Sequence, residues 1–359
     1  MPSLAYIIAR RAVLLTLALI VVVFLTAFII GATGYDLKIW NAIIIEDSRA
    51  YRESLQRARN LTSQEINELV ANYTAELRRI YGVDKPWIER VLPLAVNVLM
   101  LRLGDVVSSD VAQVVGKQLP LTVSEAITIV LPRTIIMITV AEVIVLLLGL
   151  LIGPRAAFKA GSLFDRSVIA YAALMNAIPL WWLALIMVFT FAYQLGIAPT
   201  SGRGAIALIN SLMSGDIRSL PTLLYYMWLP IVTIVINFLG GTAYSIRATL
   251  IRIVREDFVT VAQAKGLPDR YIYRSYILRA AAPPIATYII LTLAGSIGGF
   301  IITEAVFDWP GMGTLYYAAI TTGDASTIIG LTYVLTLVYV VARFILEVLY
   351  VFLDPRVRY

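Results

Sequence analysis

The chain has 359 residues, of which 60% are hydrophobic and only 14% are charged, a composition typical of a polytopic membrane protein rather than a soluble domain. It contains neither cysteine nor histidine, which excludes disulfides, thiolate chemistry and the usual general base, and removes most zinc sites. We expect the net charge of +6 to come from basic cytoplasmic loops rather than from a nucleic-acid site. Gly116-Lys117 lacks the upstream glycine and the following hydroxyl residue of a phosphate-binding loop, so no such loop is predicted.

Six apolar stretches are long enough to cross a bilayer, which requires about 20 residues for each helix. Their approximate bounds are 12–30, 134–152, 168–195, 229–245, 285–303 and 327–353. We interpret the first as a retained anchor, because it is long and lacks a small-residue cleavage site. Asn176 and Pro179 interrupt the third. The sequence therefore predicts an all-α polytopic membrane protein with six transmembrane helices.

Lysine and arginine collect in the short segments on one side of these stretches. They occur before the first stretch, between the second and third, and after the sixth, and seven of them lie between the fourth and fifth. The opposite side has Arg203 and Arg218 between the third and fourth stretches and none between the fifth and sixth. Because short cytoplasmic loops carry the excess of basic residues, both termini and the segment 247–284 are predicted to be cytoplasmic in the cell membrane.

The segment 34–130 is then external, and its pattern predicts a small helical domain. Thr62 and Glu65 have the spacing of a capping box, and apolar residues at helical spacing follow them. Gly82 is a plausible end for this helix. The predicted organisation is an N-terminal end and first span over 1–33, this external domain, and a membrane core over 131–359.

The cytoplasmic segment 255–284 is polar and basic, and its pattern predicts two short helices. Glu256 and Asp257 suit the start of the first helix, because the helix dipole favours negative charge there. Lys265-Gly266-Leu267-Pro268 is a strong stop signal. Asp269 can cap the second helix, and Pro283-Pro284 is expected to end the segment. The positions spaced for one face of the first helix are Phe258, Val261 and Ala262.

Two interpretations of this segment remain open on pattern alone. The small face around Ala262 would let another protein approach closely, with the flanking charges setting its orientation. An amphipathic helix lying on the lipid surface would show the same pattern.

The residues REDFVTVAQAKG, 255–266, resemble the cytoplasmic EAA loop of ABC importer permeases, in the form of the dipeptide/oligopeptide branch. Ala262, Gly266 and Pro284 match that pattern, while Thr260-Val261 stands where Glu-Ala is usual. Further similarity follows in the same order over most of 78–359, whereas 34–77 has no recognised counterpart. The matching segments are YGVDKPW (81–87), Leu131-Pro132, IPLWWLALIM (178–187), LGIAPTSG (195–202), TEAVFDWPGMG (303–313) and LDPRVRY (353–359).

The resemblance implies an importer permease core that forms half of a translocation pathway for oligopeptides or oligosaccharides. It implies a second homologous permease, two cytoplasmic ATPase subunits that bind ATP and magnesium, and an external substrate-binding protein. The chain itself would be a non-catalytic membrane subunit without a cofactor, a metal or nucleic acid. The residues expected to couple to the ATPases are Arg255, Glu256, Asp257, Ala262, Ala264, Lys265, Gly266 and Leu267. A self-contained secondary transporter or channel is the alternative, and it would need no ATPase dock.

Polar residues and helix breaks within the spans are candidates for the translocation path, because they are costly in lipid. The candidates are Glu142, Asn176, Pro179, Trp182, Asn237, Ser296 and Glu304. Hydrogen bonding between helices is the alternative for the first of them and for the asparagines, and interfacial anchoring is the alternative for tryptophan. Glu304, with Asp308 and Trp309, could instead shape the turn before Pro310-Gly311. Gly240-Gly241 and Gly295–Gly299 are predicted to permit close helix packing.

Overall fold

The computed structural model describes residues 4–57, 62–297 and 300–353, and over these residues the chain is helical and has no strand. This confirms the predicted fold class. The α-helices are α1 (Leu4–Ala32), α2 (Leu37–Arg57), α3 (Ser63–Ile80), α4 (Trp87–Leu99), α5 (Ser109–Val115), α6 (Val123–Thr134), α7 (Val140–Phe158), α8 (Leu163–Ala177), α9 (Leu180–Met187), α10 (Ala205–Met213), α11 (Leu220–Val254), α12 (Asp257–Ala264), α13 (Asp269–Ile272), α14 (Leu278–Ile297), α15 (Ile301–Val306), α16 (Met312–Thr322) and α17 (Ala325–Leu353). Three π-helical segments follow α6, α9 and α13, over Ile135–Thr139, Val188–Gln194 and Tyr273–Ile277. The basic C-terminal residues Arg356 and Arg358 lie outside the described residues.

Five helical segments of the described chain are long and apolar enough to cross a membrane. Their bounds are Ala9–Ala32, Val123–Phe158, Ile217–Val254, Asp269–Gly295 and Ala325–Leu346. The pair α8 and α9 makes a sixth if it is counted as one span, with a bend of 89° at its break. The six predicted stretches agree with this count, and the interruption of the third stretch at Pro179 is confirmed. Several segments run well past the predicted bounds, because polar helix ends do not show in an apolar window.

Contacts divide the chain into two compact units, one of Met1–Thr16, Val130–Thr314 and Leu337–Tyr359, the other of Leu17–Ile129 and Leu315–Thr336. In the first unit α11 packs along α7 and α8. A Cβ atom on Gly149 would lie 2.5 Å from Thr242 Cγ2, and one on Gly240 would lie 2.8 Å from Ala172 Cα. Glycine at these positions lets the helices approach closely, as predicted for Gly240. Gly295 differs from the prediction, since its added Cβ would meet no atom within 4 Å.

A buried ion pair joins α8 to α11 in this unit. Arg247 Nη2 donates to Asp165 Oδ2 at 2.8 Å, and both side chains are largely removed from solvent. The Asp165 carboxylate also accepts from the backbone N–H of Gly161, so its charge is well compensated. Arg247 is therefore paired within the chain, rather than being a freely available basic residue of the segment 247–284.

In the second unit, α2 and α3 form a hairpin whose ends agree with the sequence pattern. The backbone N–H of Thr62 donates to Glu65 Oε2 at 2.8 Å, and that of Glu65 donates to Thr62 Oγ1 at 3.4 Å, which confirms the capping box. Gly82 follows the helix with φ of +65°, as expected of a terminating glycine. Trp40 stacks on Tyr81 with ring centroids 4.8 Å apart. The external position of residues 34–130 and their boundaries as a domain stay predictions.

The buried carboxylate of Asp324 connects the start of α17 to the loop before α5, a contact that the sequence pattern did not predict. The side chain is fully buried, and Oδ1 accepts from the backbone N–H of Thr327 at the start of α17. Oδ2 accepts from the backbone N–H groups of Val107 and Ser108 at 2.8 and 3.0 Å. One carboxylate therefore caps a helix and holds a loop that is more than 200 residues away in sequence.

Candidate coupling segment and translocation-path residues

The first helix of the segment 255–284, α12, has the ends that its sequence predicts. Asp257 is its first residue, and Glu256 occupies the preceding cap position. At the other end Gly266 has φ of +70°, and its N–H donates to Gln263 O at 2.9 Å while that of Leu267 donates to Ala262 O at 3.3 Å. A Cβ on Gly266 would meet nothing within 4 Å, so the left-handed backbone, not crowding, is what favours glycine there.

The buried and exposed side chains of α12 are not those that the predicted face implies. Val259 and Ala262 are buried, at 1% and 2% exposure, in a core that includes Leu250, Ile253 and Ile272 of the same unit. Phe258 and Val261, at 37% and 52%, are exposed. The prediction that Ala262 offers a small face to a partner is thus wrong for this conformation. Positions i and i+3 starting at Val259 pack against the chain's own helices, and Phe258 and Val261 are left outside.

The outer surface of α12 is apolar at its centre and charged at both ends. Phe258 and Val261 are flanked by exposed Glu256 and Asp257 at the start of the helix and by exposed Lys265 at its end. Beside the start of the helix is an open cleft of about 520 Å³. The cleft is lined by Arg247, Ala248, Ile251, Arg252, Arg255, Glu256 and Asp257. This surface can receive another protein through apolar contact at the centre and charge pairing at the rim.

The second helix of the segment departs from its prediction at both ends. Pro268, not Asp269, occupies the cap position of α13, and Asp269 is the first helical residue. The helix then continues through the π-helical turn into α14, which contains Pro283 and Pro284. The expected end at these prolines is therefore wrong. Membrane helices tolerate internal proline, and burial of Ala281 just before the pair packs this part of the helix against its unit.

Three of the predicted path residues meet at the break between α8 and α9. Pro179 occupies the cap position of α9, and the carbonyl of Ile178 before it accepts from Asn237 Nδ2 of α11 at 3.0 Å. An added Cβ on Gly241, also in α11, would lie 3.3 Å from Asn176 Oδ1. Asn237 thus satisfies a carbonyl that the break leaves without a helical partner. Asn237 therefore supports the bent backbone by a hydrogen bond between helices, which was the structural alternative for this residue.

The remaining path candidates differ from one another in solvent exposure. Glu142 on α7 is buried at 4% exposure, whereas Trp182 on α9 is exposed at 46%, as is its neighbour Trp181 at 42%. An exposed tryptophan on an apolar helix suits an interfacial or partner-facing position. Ser296 belongs to α14, and its side chain is outside the described part of the structure.

Glu304 is fully buried and caps the start of α16. Its Oε2 accepts from the backbone N–H groups of Gly313 and Thr314 at 2.9 and 3.2 Å, and its Oε1 accepts from Thr134 Oγ1 at 3.2 Å. Thr134 Oγ1 in turn accepts from the N–H of Met312 at 2.6 Å. The carboxylate and the hydroxyl therefore satisfy N–H groups that a helix start leaves unpaired. Burial raises the pKa of Glu304 to about 8 against the lowering effect of these donors.

The residues after Glu304 complete a close-packed turn. Trp309 is fully buried, and its Nε1 donates to Arg133 O at 3.2 Å. Asp308 has φ of +49° and accepts from Ser201 Oγ at 2.6 Å and from Arg203 Nε at 2.9 Å. A Cβ on Gly311 would lie 2.5 Å from Thr134 Oγ1. Glu304 in this conformation is therefore a turn residue rather than a path-lining one, and the motif TEAVFDWPGMG is explained by packing.

The comparisons with known proteins agree with this architecture. Residues 145–359 match the family model described as "Binding-protein-dependent transport system inner membrane component", which covers more than half of the chain. The chain belongs to this family, and it is a multi-pass membrane subunit of a transport system rather than a catalyst. The matched residues include the whole segment 255–284 and the Glu304 turn.

Several curated relatives are permeases of the predicted branch. The di/tripeptide transport system permease protein DppB of Pseudomonas aeruginosa is 29% identical over 300 residues, covering 79% of this chain and 85% of that protein. The oligopeptide transport system permease protein AppB of Bacillus subtilis is 27% identical over 258 residues, covering 72% and 78%. The probable D,D-dipeptide transport system permease protein DdpB of Escherichia coli is 30% identical over 246 residues, covering 66% and 72%. The resemblance to ABC importer permeases is thereby confirmed.

Proposed function

We propose that this chain is the permease subunit of an ATP-driven importer of oligopeptides and that α12, with its exposed apolar centre, is the site at which an ATPase subunit docks. The single observation that carries the docking proposal is that α12 has one buried face and one exposed apolar face. Its inner face is fixed in the core of the chain, while Phe258 and Val261 remain exposed between charged ends. A helix held in this way, with an apolar outer face, can transmit a movement of its partner to the core that it shares with α11, α13 and α14.

The rest of the assembly is proposed on the family's organisation. A second homologous permease would complete the pathway, and an external substrate-binding protein would deliver the cargo. Two cytoplasmic ATPase subunits would hold ATP and magnesium, since this chain would bind no cofactor itself. Both termini would be cytoplasmic, which puts α12 on the side where the ATPases would dock.

Oligopeptides are preferred as cargo because the relatives' names specify di-, tri- and oligopeptides. Oligosaccharides are the second cargo class implied by the sequence resemblance. Reconstituted transporter with its binding protein should take up labelled peptide, and excess unlabelled peptide should compete more strongly than an oligosaccharide. Competition by the oligosaccharide alone would reverse the assignment while leaving the permease role intact.

The docking proposal is tested by placing a charge at the centre of the exposed surface. Val261→Asp should abolish copurification of the ATPase subunit and uptake, because an unpaired carboxylate would be buried at the contact. Ile45→Asp is the matched control, since Ile45 is an equally apolar residue on α2 that is 69% exposed. Equal ATPase recovery from the Val261 variant and the wild-type chain would contradict docking at α12.

A self-contained secondary transporter or channel is distinguished by a separate measurement. The purified chain in proteoliposomes, with no ATPase subunit present, should show no uptake of cargo. Uptake under these conditions, driven by an ion gradient or by the cargo gradient alone, would contradict the importer proposal itself.

A further inference from the structure

The helix that begins at α13 carries a row of arginines that the coupling surface does not use. Arg270, Arg274 and Arg279 are all exposed, and within the described residues none of them forms an ion pair. Between residues 270 and 297 the sequence contains no aspartate or glutamate. Asp269 directly precedes Arg270, so these three side chains, called the basic stripe below, form a patch whose net charge is positive and in which, over the described residues, none of the arginines is paired.

The π-helical turn Tyr273–Ile277 brings the stripe into line. The steps along the stripe are four residues, from Arg270 to Arg274, and then five residues, to Arg279. In a regular α-helix a five-residue step turns the side chain by about 140° from the first position, whereas a four-residue step turns it by about 40°. A π-helical turn contains one extra residue, so a five-residue step across it turns the side chain by about as much as a four-residue step in a regular α-helix.

The buried side of the same helix also has a five-residue spacing across the π-helical turn. Its buried residues are Ile272, Ile277 and Ala281, so that face also takes one five-residue step at the π-helical turn. These residues pack in the core below α12, and Tyr273 contacts Phe158 edge to face at 4.8 Å. The inner face is thus held by packing. Each arginine of the stripe is two residues from one of these buried positions, which places it on the opposite side of the helix.

The length of the helix puts the stripe at the edge of the membrane. The candidate span Asp269–Gly295 has 27 residues, which is about 40 Å of helix, while the hydrocarbon core is about 30 Å thick. About 10 Å of this helix, roughly its first seven residues, therefore extends beyond the hydrocarbon at the basic end, which places Arg270 and Arg274 among the headgroups. Arg279 lies about one turn further along the helix, and its long side chain can extend back to the headgroups. Exposed Tyr271 beside the stripe supports this, since tyrosine is enriched at the membrane interface.

We propose that the basic stripe is a binding site for the phosphate groups of anionic phospholipids. Three guanidinium groups along one side of the helix end, with no carboxylate between them, complement the phosphates of the adjacent headgroups. The site is separate from the ATPase-docking surface of α12, and it does not depend on the proposed transport function. Bound lipid would fix the depth of the helix whose inner face supports α12.

The test uses the full chain purified in mild detergent and native mass spectrometry with added phosphatidylglycerol or phosphatidylcholine. The wild-type chain should retain phosphatidylglycerol in preference to phosphatidylcholine. The triple variant Arg270→Gln, Arg274→Gln, Arg279→Gln should lower the affinity for phosphatidylglycerol on the order of 100-fold at low salt, since each arginine contributes roughly fivefold. The corresponding lysine variant should stay close to wild type.

The control removes three other exposed arginines, by Arg49→Gln, Arg52→Gln and Arg57→Gln on α2, and it should leave lipid retention unchanged. Millimolar inorganic phosphate should not displace the lipid. Unchanged retention in the stripe variant, an equal loss in the control, or displacement by phosphate would each overturn the lipid site. Loss of ATPase recovery with normal lipid retention would assign the stripe to a protein partner instead. If the triple variant does not fold, Arg274→Gln alone should show the roughly fivefold decrease.

Discussion

The α12 segment and the α15–α16 turn contain similar residues but use them in opposite ways. Each has an acidic residue, a glycine and a proline within a short stretch, and each matches the family pattern. In α12 the charged residues are exposed, and the glycine ends the helix through hydrogen bonds to its own last turn. In the α15–α16 turn Glu304 is fully buried and bonds to Thr134, which is 170 residues away. The residue types in a segment therefore do not show whether its charged groups form an exposed contact surface or are buried and stabilise the fold.

The largest difference between the two regions is expected from removing their carboxylates. Glu304→Ala leaves two backbone N–H groups and one hydroxyl without acceptors in a buried site, at a cost of about 4 kcal/mol in the free energy of unfolding. Asp257→Ala, at an exposed helix start, should cost only about 0.5 kcal/mol. Denaturant unfolding in detergent measures both. Similar values for the two variants would remove the contrast between support and surface.

The two glycines separate crowding from backbone strain. Gly311→Ala brings a Cβ to 2.5 Å from Thr134 Oγ1 and should destabilise the chain by about 3 kcal/mol. Gly266→Ala meets no atom but keeps a left-handed backbone, at a cost of about 1 kcal/mol. Gly295→Ala is the control, because it adds a methyl group to open space within a helix. Thermal unfolding of the three variants should give that order of loss, and a neutral Gly311 variant would mean that the turn relaxes freely.

The buried Glu304 should also make the stability of the chain depend on pH. The folded-state pKa of Glu304 is about 8, above the ordinary value of 4.5, so the folded chain holds this proton more tightly than the unfolded chain. Its stabilising contribution is present below pH 4.5 and is lost as the pH rises through 8, by roughly 2 kcal/mol between pH 5 and 7. Glu304→Gln should remove this slope. Identical slopes in the wild-type chain and the variant would show that the carboxylate is already ionised when folded.

A local effect is expected at a helix start that nearby residues define, as they do for α12. Thr62→Ala removes the side-chain half of the capping box and should lower the free energy of opening of the first turn of α3 by about 1 kcal/mol. Thr260→Ala, an exposed helical position, is the matched control and should be nearly neutral. Hydrogen exchange of the amides at the start of α3 should rise in the first variant only. A global loss of stability from Thr62→Ala would contradict a purely local role.

Features that depend on residues close in sequence were predictable here. The capping box at Thr62, the end of α12 at Gly266 and the break at Pro179 each follow from hydrogen bonding or chain geometry within about five residues. The spans follow from continuous apolar stretches of about 20 residues. The family pattern in segment 255–284 is equally a property of the sequence, and it located the candidate docking helix without any knowledge of packing.

Tertiary structure decided which side of each element is available. Packing against α11 and α13 buries Ala262 and leaves Val261 exposed, although both lie on the one short helix. Packing also carries the helix through Pro283 and Pro284 and encloses Glu304. The carboxylate of Asp324 meets its partners across 217 residues. Such contacts depend on how distant helices come together, and local periodicity contains no record of that arrangement.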